Sequence, residues 1–84
     1  MKSDNEIQKE IIQIIEKYAF DKSKVQNASA KSSIIADLKI NSARIVDIIL
    51  DIEEKYDIEI DDDDIPKMIT VEDAVNIIKK EIQN

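Results

Sequence analysis

The chain has 84 residues, with 19 acids against 12 bases, a net charge of −7, and no histidine, cysteine or glycine. Without Cys there is no disulfide framework, thiolate metal site or cysteine nucleophile; without His, the usual general base and the commonest metal ligand are gone. This length holds one domain, residues 1–84. Its apolar content is mostly Ile, Val and Leu with few aromatics, and Gly-containing hairpin turns are unavailable, so an all-α bundle with a thin core is the natural class.

Ser3-Asp-Asn-Glu6 has the form of a capping box, and Ile7, Ile11, Ile14, Ile15 and Tyr18 follow at helical spacing. They predict a first helix over about 4–19 whose stripe packs into a core. Residues 20–38 are rich in Ser, Asp and Asn and break that periodicity, which predicts a long connection pinned by Val25, Ile34, Ile35 and Leu38. A second helix is predicted over about 42–56. Ile45, Ile48, Ile49, Ile52 and Tyr56 form its core stripe. Ala43, Val46, Asp47, Leu50 and Glu54 lie on a neighbouring face that mixes apolar and acidic groups and suits a basic partner. Ser42 stands at its start, a position where serine ordinarily caps the helix, with Asn41 able to share the role. Helix starts also favour a bound or attached phosphate.

Tyr56 to Ile60 alternates briefly, and with no second strand to pair it reads as an extended link with Ile58 and Ile60 inward. A short third helix is predicted over about 61–66, with Pro66 ending it or fixing its entry to a turn. Thr70-Val-Glu-Asp73 then starts a fourth helix over about 71–82, with Val71, Ala74, Val75, Ile78 and Ile82 inward. The architecture is therefore a small four-helix bundle, three longer helices and one short, with a long loop between the first two.

Charge is unevenly spread. Residues 1–46 hold six acids and eight bases, residues 47–64 ten acids and one base, and residues 65–84 three of each. The negative excess sits on the second half of the central helix and the loop after it. Such a field repels nucleic-acid phosphates and anionic membranes and steers basic protein surfaces. No apolar run approaches a membrane span, and the charged N-terminus lacks the apolar core of a signal peptide. A cytoplasmic protein without membrane insertion is expected. It should be a monomer, since each stripe is about as wide as one core demands.

Ser33-Ile-Ile-Ala-Asp-Leu38, Ser42, Ile48 to Tyr56 with Glu53-Glu54, Ile58-Glu-Ile60 and Thr70-Val71 together resemble the acyl carrier proteins, over about Asn27 to Ile78. In that family the Ser of an Asp-Ser-Leu motif carries 4′-phosphopantetheine, whose thiol holds an acyl or aminoacyl group. The resemblance implies that Ser42 is the attachment residue for an arm delivered from coenzyme A by a phosphopantetheinyl transferase. It also implies acyl-loading and acyl-transfer enzymes with basic surfaces, in fatty-acid, polyketide or other specialised biosynthesis, as partners that meet Asp47, Glu53 and Glu54 with Val46 and Leu50. Here the motif reads Asn41-Ser42-Ala43. Lys39 replaces the Gly two residues before it, and Arg44 stands where an acid is common. The carried chain would shelter in a cleft lined by Ile48, Ile49, Ile52, Ile65, Ile69, Val71, Val75 and Ile78.

Other chemistries fit the residues less well. Asp57, Glu59, Asp61 and Asp63 fall at the first, third, fifth and seventh positions of a calcium-loop window. Its sixth position is Asp62 rather than Gly and its twelfth is Met68 rather than Glu, so no metal site is assigned. Glu53 and Glu54 are adjacent on a helix and point about 100° apart, which does not make a catalytic dyad. No enzyme activity is expected. The alternative to a carrier is an unmodified acidic module of the same fold that acts as a protein–protein adaptor.

Overall fold

The computed structural model describes residues 2–83. In it α1 spans Asp4–Lys17, α2 Lys22–Gln26, α3 Ile45–Tyr56 and α4 Val71–Gln83, and 3₁₀ helices cover Ser42–Arg44 and Asp62–Lys67. No strand forms among the described residues; Ser33 and Thr70 make one isolated bridge. The chain is the all-α bundle that its periodicity predicts.

Local chemistry explains each helix start. Ser3 accepts from the Glu6 N–H while the Glu6 carboxylate accepts from the Ser3 N–H, so α1 begins on the predicted capping box. Asp21 and Asp61 cap α2 and the second 3₁₀ helix through side chains that accept from Ser23 and Asp63 N–H. Thr70 and Asp73 exchange side-chain and backbone bonds at the start of α4 (2.9 and 3.1 Å). Helix α3 stops at Asp57, which adopts the left-handed conformation (φ 55°) usually left to glycine.

Helix α1 packs on α2, α3 and α4, and pairs at its two ends show that it runs antiparallel to α3. Its N-terminal half meets the C-terminal ends of α3 and α4 through Glu10–Tyr56 and Asp4–Lys79. Its C-terminal end meets the middle of α3 through Lys17 and Tyr18, which both donate to Asp51 (2.9 and 2.7 Å). One core joins Ile7, Ile11, Ile14 and Ile15 to Ile48, Ile49 and Ile52 and to Val71, Val75 and Ile78. Isoleucine dominates it, and β-branched side chains hold few rotamers, which favours a stiff core.

Several expectations change at this level. The first helix ends at Lys17 rather than near 19. The long connection contains α2, whose Val25 is fully buried and whose five residues are too few to show amphipathic periodicity. Residues 42–44 are 3₁₀ rather than α, and the short third helix is 3₁₀ throughout with Pro66 inside it. Ile35 and Ile82 face solvent instead of the core, while Ile40 and Ile77 are buried. Ile45 and Tyr56, at the edges of the central stripe, are only half-buried.

Candidate functional site

The turn that carries Ser42 is built on buried anchors. Ile34, Leu38 and Ile40 enter the core just before it, and Ile48 and Ile49 just after. The Ser33 carbonyl accepts from the N–H groups of Asp37 and Leu38, while the Asp37 carboxylate accepts from the Ser33 N–H (2.7 Å). Ile34 N–H donates to the Ile69 carbonyl and Val71 N–H to that of Ser32, which ties the segment to the start of α4. Lys39 turns the chain with φ 56°, the left-handed region in which a side chain is unfavourable.

At the turn itself, Asn41 is the cap. Its backbone is extended, its Oδ1 accepts from the Ala43 N–H at 2.9 Å, and its carbonyl accepts from the Arg44 N–H at 2.8 Å. Ser42 is the first residue of the 3₁₀ turn, exposed, and its hydroxyl makes no hydrogen bond among the described residues. The capping role read for Ser42 is therefore corrected: the amide one residue earlier holds it. That change matters chemically, because a capping hydroxyl would be tied to the backbone, whereas this one is free to react.

The outer face of α3 continues from the turn. Val46 and Leu50 are 59 % and 56 % exposed, one helical turn apart, and Ala43 lies exposed before them. The acids of this face differ in freedom. Asp47 is paired with Arg44 (2.9 Å). Asp51 binds Lys17 and Tyr18, and those hydrogen bonds, Lys17 first, hold its carboxyl below the usual carboxylate range. Glu53, expected to face partners, is half-buried and accepts the Ile60 N–H at 2.8 Å, which pins the link that follows α3. Glu54 is exposed and unpaired among the described residues.

Of the eight expected cleft residues, Ile48, Ile49, Ile52, Val71, Val75 and Ile78 lie together in the buried core. Ile65 packs at its edge, and Ile69 is 59 % exposed on the link before α4, outside it. The core side chains meet one another directly. A groove of about 450 Å³ opens at the opposite end of the bundle from Ser42, lined by Ile7, Tyr56 and Ile82 with Lys2, Lys55, Lys79 and Asp4.

Sequence reasoning also missed Asp64. It stands in a run of four aspartates, yet its side chain is only 8 % exposed and takes Lys80 at 3.0 Å and Lys67 at 3.7 Å. The hydrogen bond from Lys80 lowers its pKa. Nothing in the run distinguishes it from its three solvated neighbours; only the placement of α4 does.

A bundle that spends its interior on packing and displays an exposed serine beside an apolar and acidic helix has the arrangement of a module that presents a surface to other proteins. Comparison with known proteins agrees. No family model matches the chain. It is 43 % identical over 56 residues to an acyl carrier protein of Desulforapulum autotrophicum, covering 67 % of this chain and 73 % of that one. Acyl carrier proteins of Campylobacter lari and Campylobacter jejuni are 36 % identical over 66 residues and 40 % over 65. Those matches cover 79 % and 77 % of this chain, and 82 % and 80 % of theirs. The chain belongs to the acyl carrier protein family, whose members are carriers rather than enzymes. No helix among the described residues is long and apolar enough to cross a membrane.

Proposed function

We propose that this protein carries an acyl or aminoacyl group as a thioester on 4′-phosphopantetheine attached to Ser42. The observation that carries the reading is the Ser42 hydroxyl, exposed and free of hydrogen bonds among the described residues because Asn41 caps the turn. A phosphodiester needs such a hydroxyl: its oxygen must reach the pantetheine-side phosphorus of coenzyme A and give up its proton, while the pyrophosphate P–O bond breaks and adenosine 3′,5′-bisphosphate leaves. The residues fit the group. The turn is exposed, its backbone is held by buried neighbours, and Lys39 stands close by in the chain for a phosphate's charge.

When bound, the arm supplies the thiol that the protein lacks. The protein's own part is to present it. Val46 and Leu50 offer apolar contact to a partner, and Glu54 and the acids beyond it offer charge, which speeds association with a basic surface and weakens with salt. Ala43, Asp47 and Glu53 border that surface. Arg44, in place of a common acid, favours a dedicated set of partners over the general enzymes of fatty-acid synthesis. Ile48, Ile49, Ile52, Val71, Val75 and Ile78 would shelter a short acyl chain by parting, and each methylene withdrawn from water contributes about 0.8 kcal/mol. Ile65 and Ile69 would sit at the mouth.

Incubation with coenzyme A and a phosphopantetheinyl transferase, followed by intact mass, tests the reading. A single added phosphopantetheine on Ser42 supports it. A chain that stays unmodified with several transferases would be the adaptor instead.

A further inference from the structure

We propose that Arg44 selects partners: the Ser42 end of the α3 docking strip takes a surface bearing a carboxylate opposite Arg44, while basic contacts belong at the far end around Glu54. This rests on the carrier reading above and names the kind of partner the carrier fits.

The argument starts from the charges of the strip. Asp37, Lys39, Arg44 and Asp47 sum to zero around Ser42. Arg44 bonds Asp47 through Nη1 alone, which neutralises the first acid of α3. A guanidinium has five N–H donors in a planar fork, so most of this one remains for a second carboxylate. The Arg44 side chain is well exposed, and Lys39, also exposed, makes no ion pair among the described residues. The nearest free acid on α3 is Glu54, because Asp51 is held by Lys17 and Tyr18 and Glu53 by the Ile60 N–H.

Distance decides whether a partner reads these as one field or two. Arg44 and Glu54 are ten residues apart, so about 15 Å along the helix axis. Screening at physiological salt acts over about 8 Å. The two ends are therefore separate electrostatic sites, joined by the apolar contacts Val46 and Leu50. A uniformly basic partner would gain at Glu54 but find no free acid of α3 at the Ser42 end, only the spare Arg44 donors. The complementary surface runs acid, apolar, base in that order from the Ser42 side.

The test uses a phosphopantetheinyl transferase with a basic docking surface and coenzyme A, following kcat/KM for loading of Ser42. Arg44→Asp should raise kcat/KM about tenfold at low salt, Arg44→Gln by less, and both gains should shrink as salt rises. Replacing the transferase lysine that faces this end with glutamate should reverse the order, so that the wild-type chain is loaded faster than Arg44→Asp. Matching far-UV circular dichroism shows that the variants keep the fold. Equal or slower loading of Arg44→Asp by the basic transferase overturns the inference, as does an order indifferent to the transferase charge. If neither the wild type nor Arg44→Asp takes up the arm, the carrier reading fails and the inference with it. Loading of both at equal rates leaves the carrier reading standing and removes only this inference.

Discussion

Ser42→Ala and Asn41→Ala separate two roles that fall on neighbouring residues. Asn41 Oδ1 satisfies the Ala43 N–H at 2.9 Å, so its removal should cost about 1 kcal/mol, the usual worth of a helix cap. In a domain of this size that lowers the thermal midpoint by about 4–8 °C. Ser42 is exposed and its hydroxyl has no partner among the described residues, so Ser42→Ala should stay within about 0.5 kcal/mol of the wild type. Melting followed by circular dichroism and intact mass after incubation with coenzyme A and a transferase read both effects. The expected pattern is crossed: Ser42→Ala melts like the wild type and gains no mass, whereas Asn41→Ala melts lower and still gains it. A Ser42→Ala midpoint as low as that of Asn41→Ala would return the cap to Ser42. Labelling that persisted in Ser42→Ala would remove that residue from the mechanism.

Asp64 sets an acid limit. Lys80 depresses its folded pKa below the ordinary value of 3.8, so its contribution is present above that value and lost as pH falls through the folded pKa. Lys80→Met should therefore lower the melting midpoint at pH 7, and the gap to the wild type should narrow below about pH 4; a constant gap would discount the pair. Glu54→Lys should slow turnover by a basic-surfaced partner more than Asp47→Lys does, since Asp47 is already paired with Arg44; equal effects in a steady-state assay would contradict the charge assignment. Loading short acyl chains should shift the methyl resonances of Ile48, Ile52 and Ile78, and longer chains should leave their ends exposed. Unchanged spectra across chain lengths would place the arm on the surface. Light scattering should give a monomer, and a stable dimer would show that an apolar stripe is shared between chains.

Much of the bundle was legible in the chain itself. Helices α1, α3 and α4 carry apolar residues at helical spacing, and their starts carry side chains that can satisfy free N–H groups, as Ser3 with Glu6 and Thr70 with Asp73 do. Ser42 by its position reads first as a helix cap, and only the resemblance to the acyl carrier proteins singled it out. These are local signals, set by residues within a turn or two of one another. Tertiary placement decided the rest. Helix α2 is held by burial of Val25, and Ile40 and Ile77 enter the core only because neighbouring segments cover them. Asp64 differs from Asp63 solely in facing Lys80 across the bundle. Glu53 and Glu54 look alike in sequence, yet one binds the Ile60 N–H and the other stays free, because the chain folds back on one side of α3 alone. The choice between Asn41 and Ser42 as the cap also needed coordinates. Either side chain can reach an N–H at a helix start, and only the backbone angles at the turn determine which does, leaving the serine hydroxyl free.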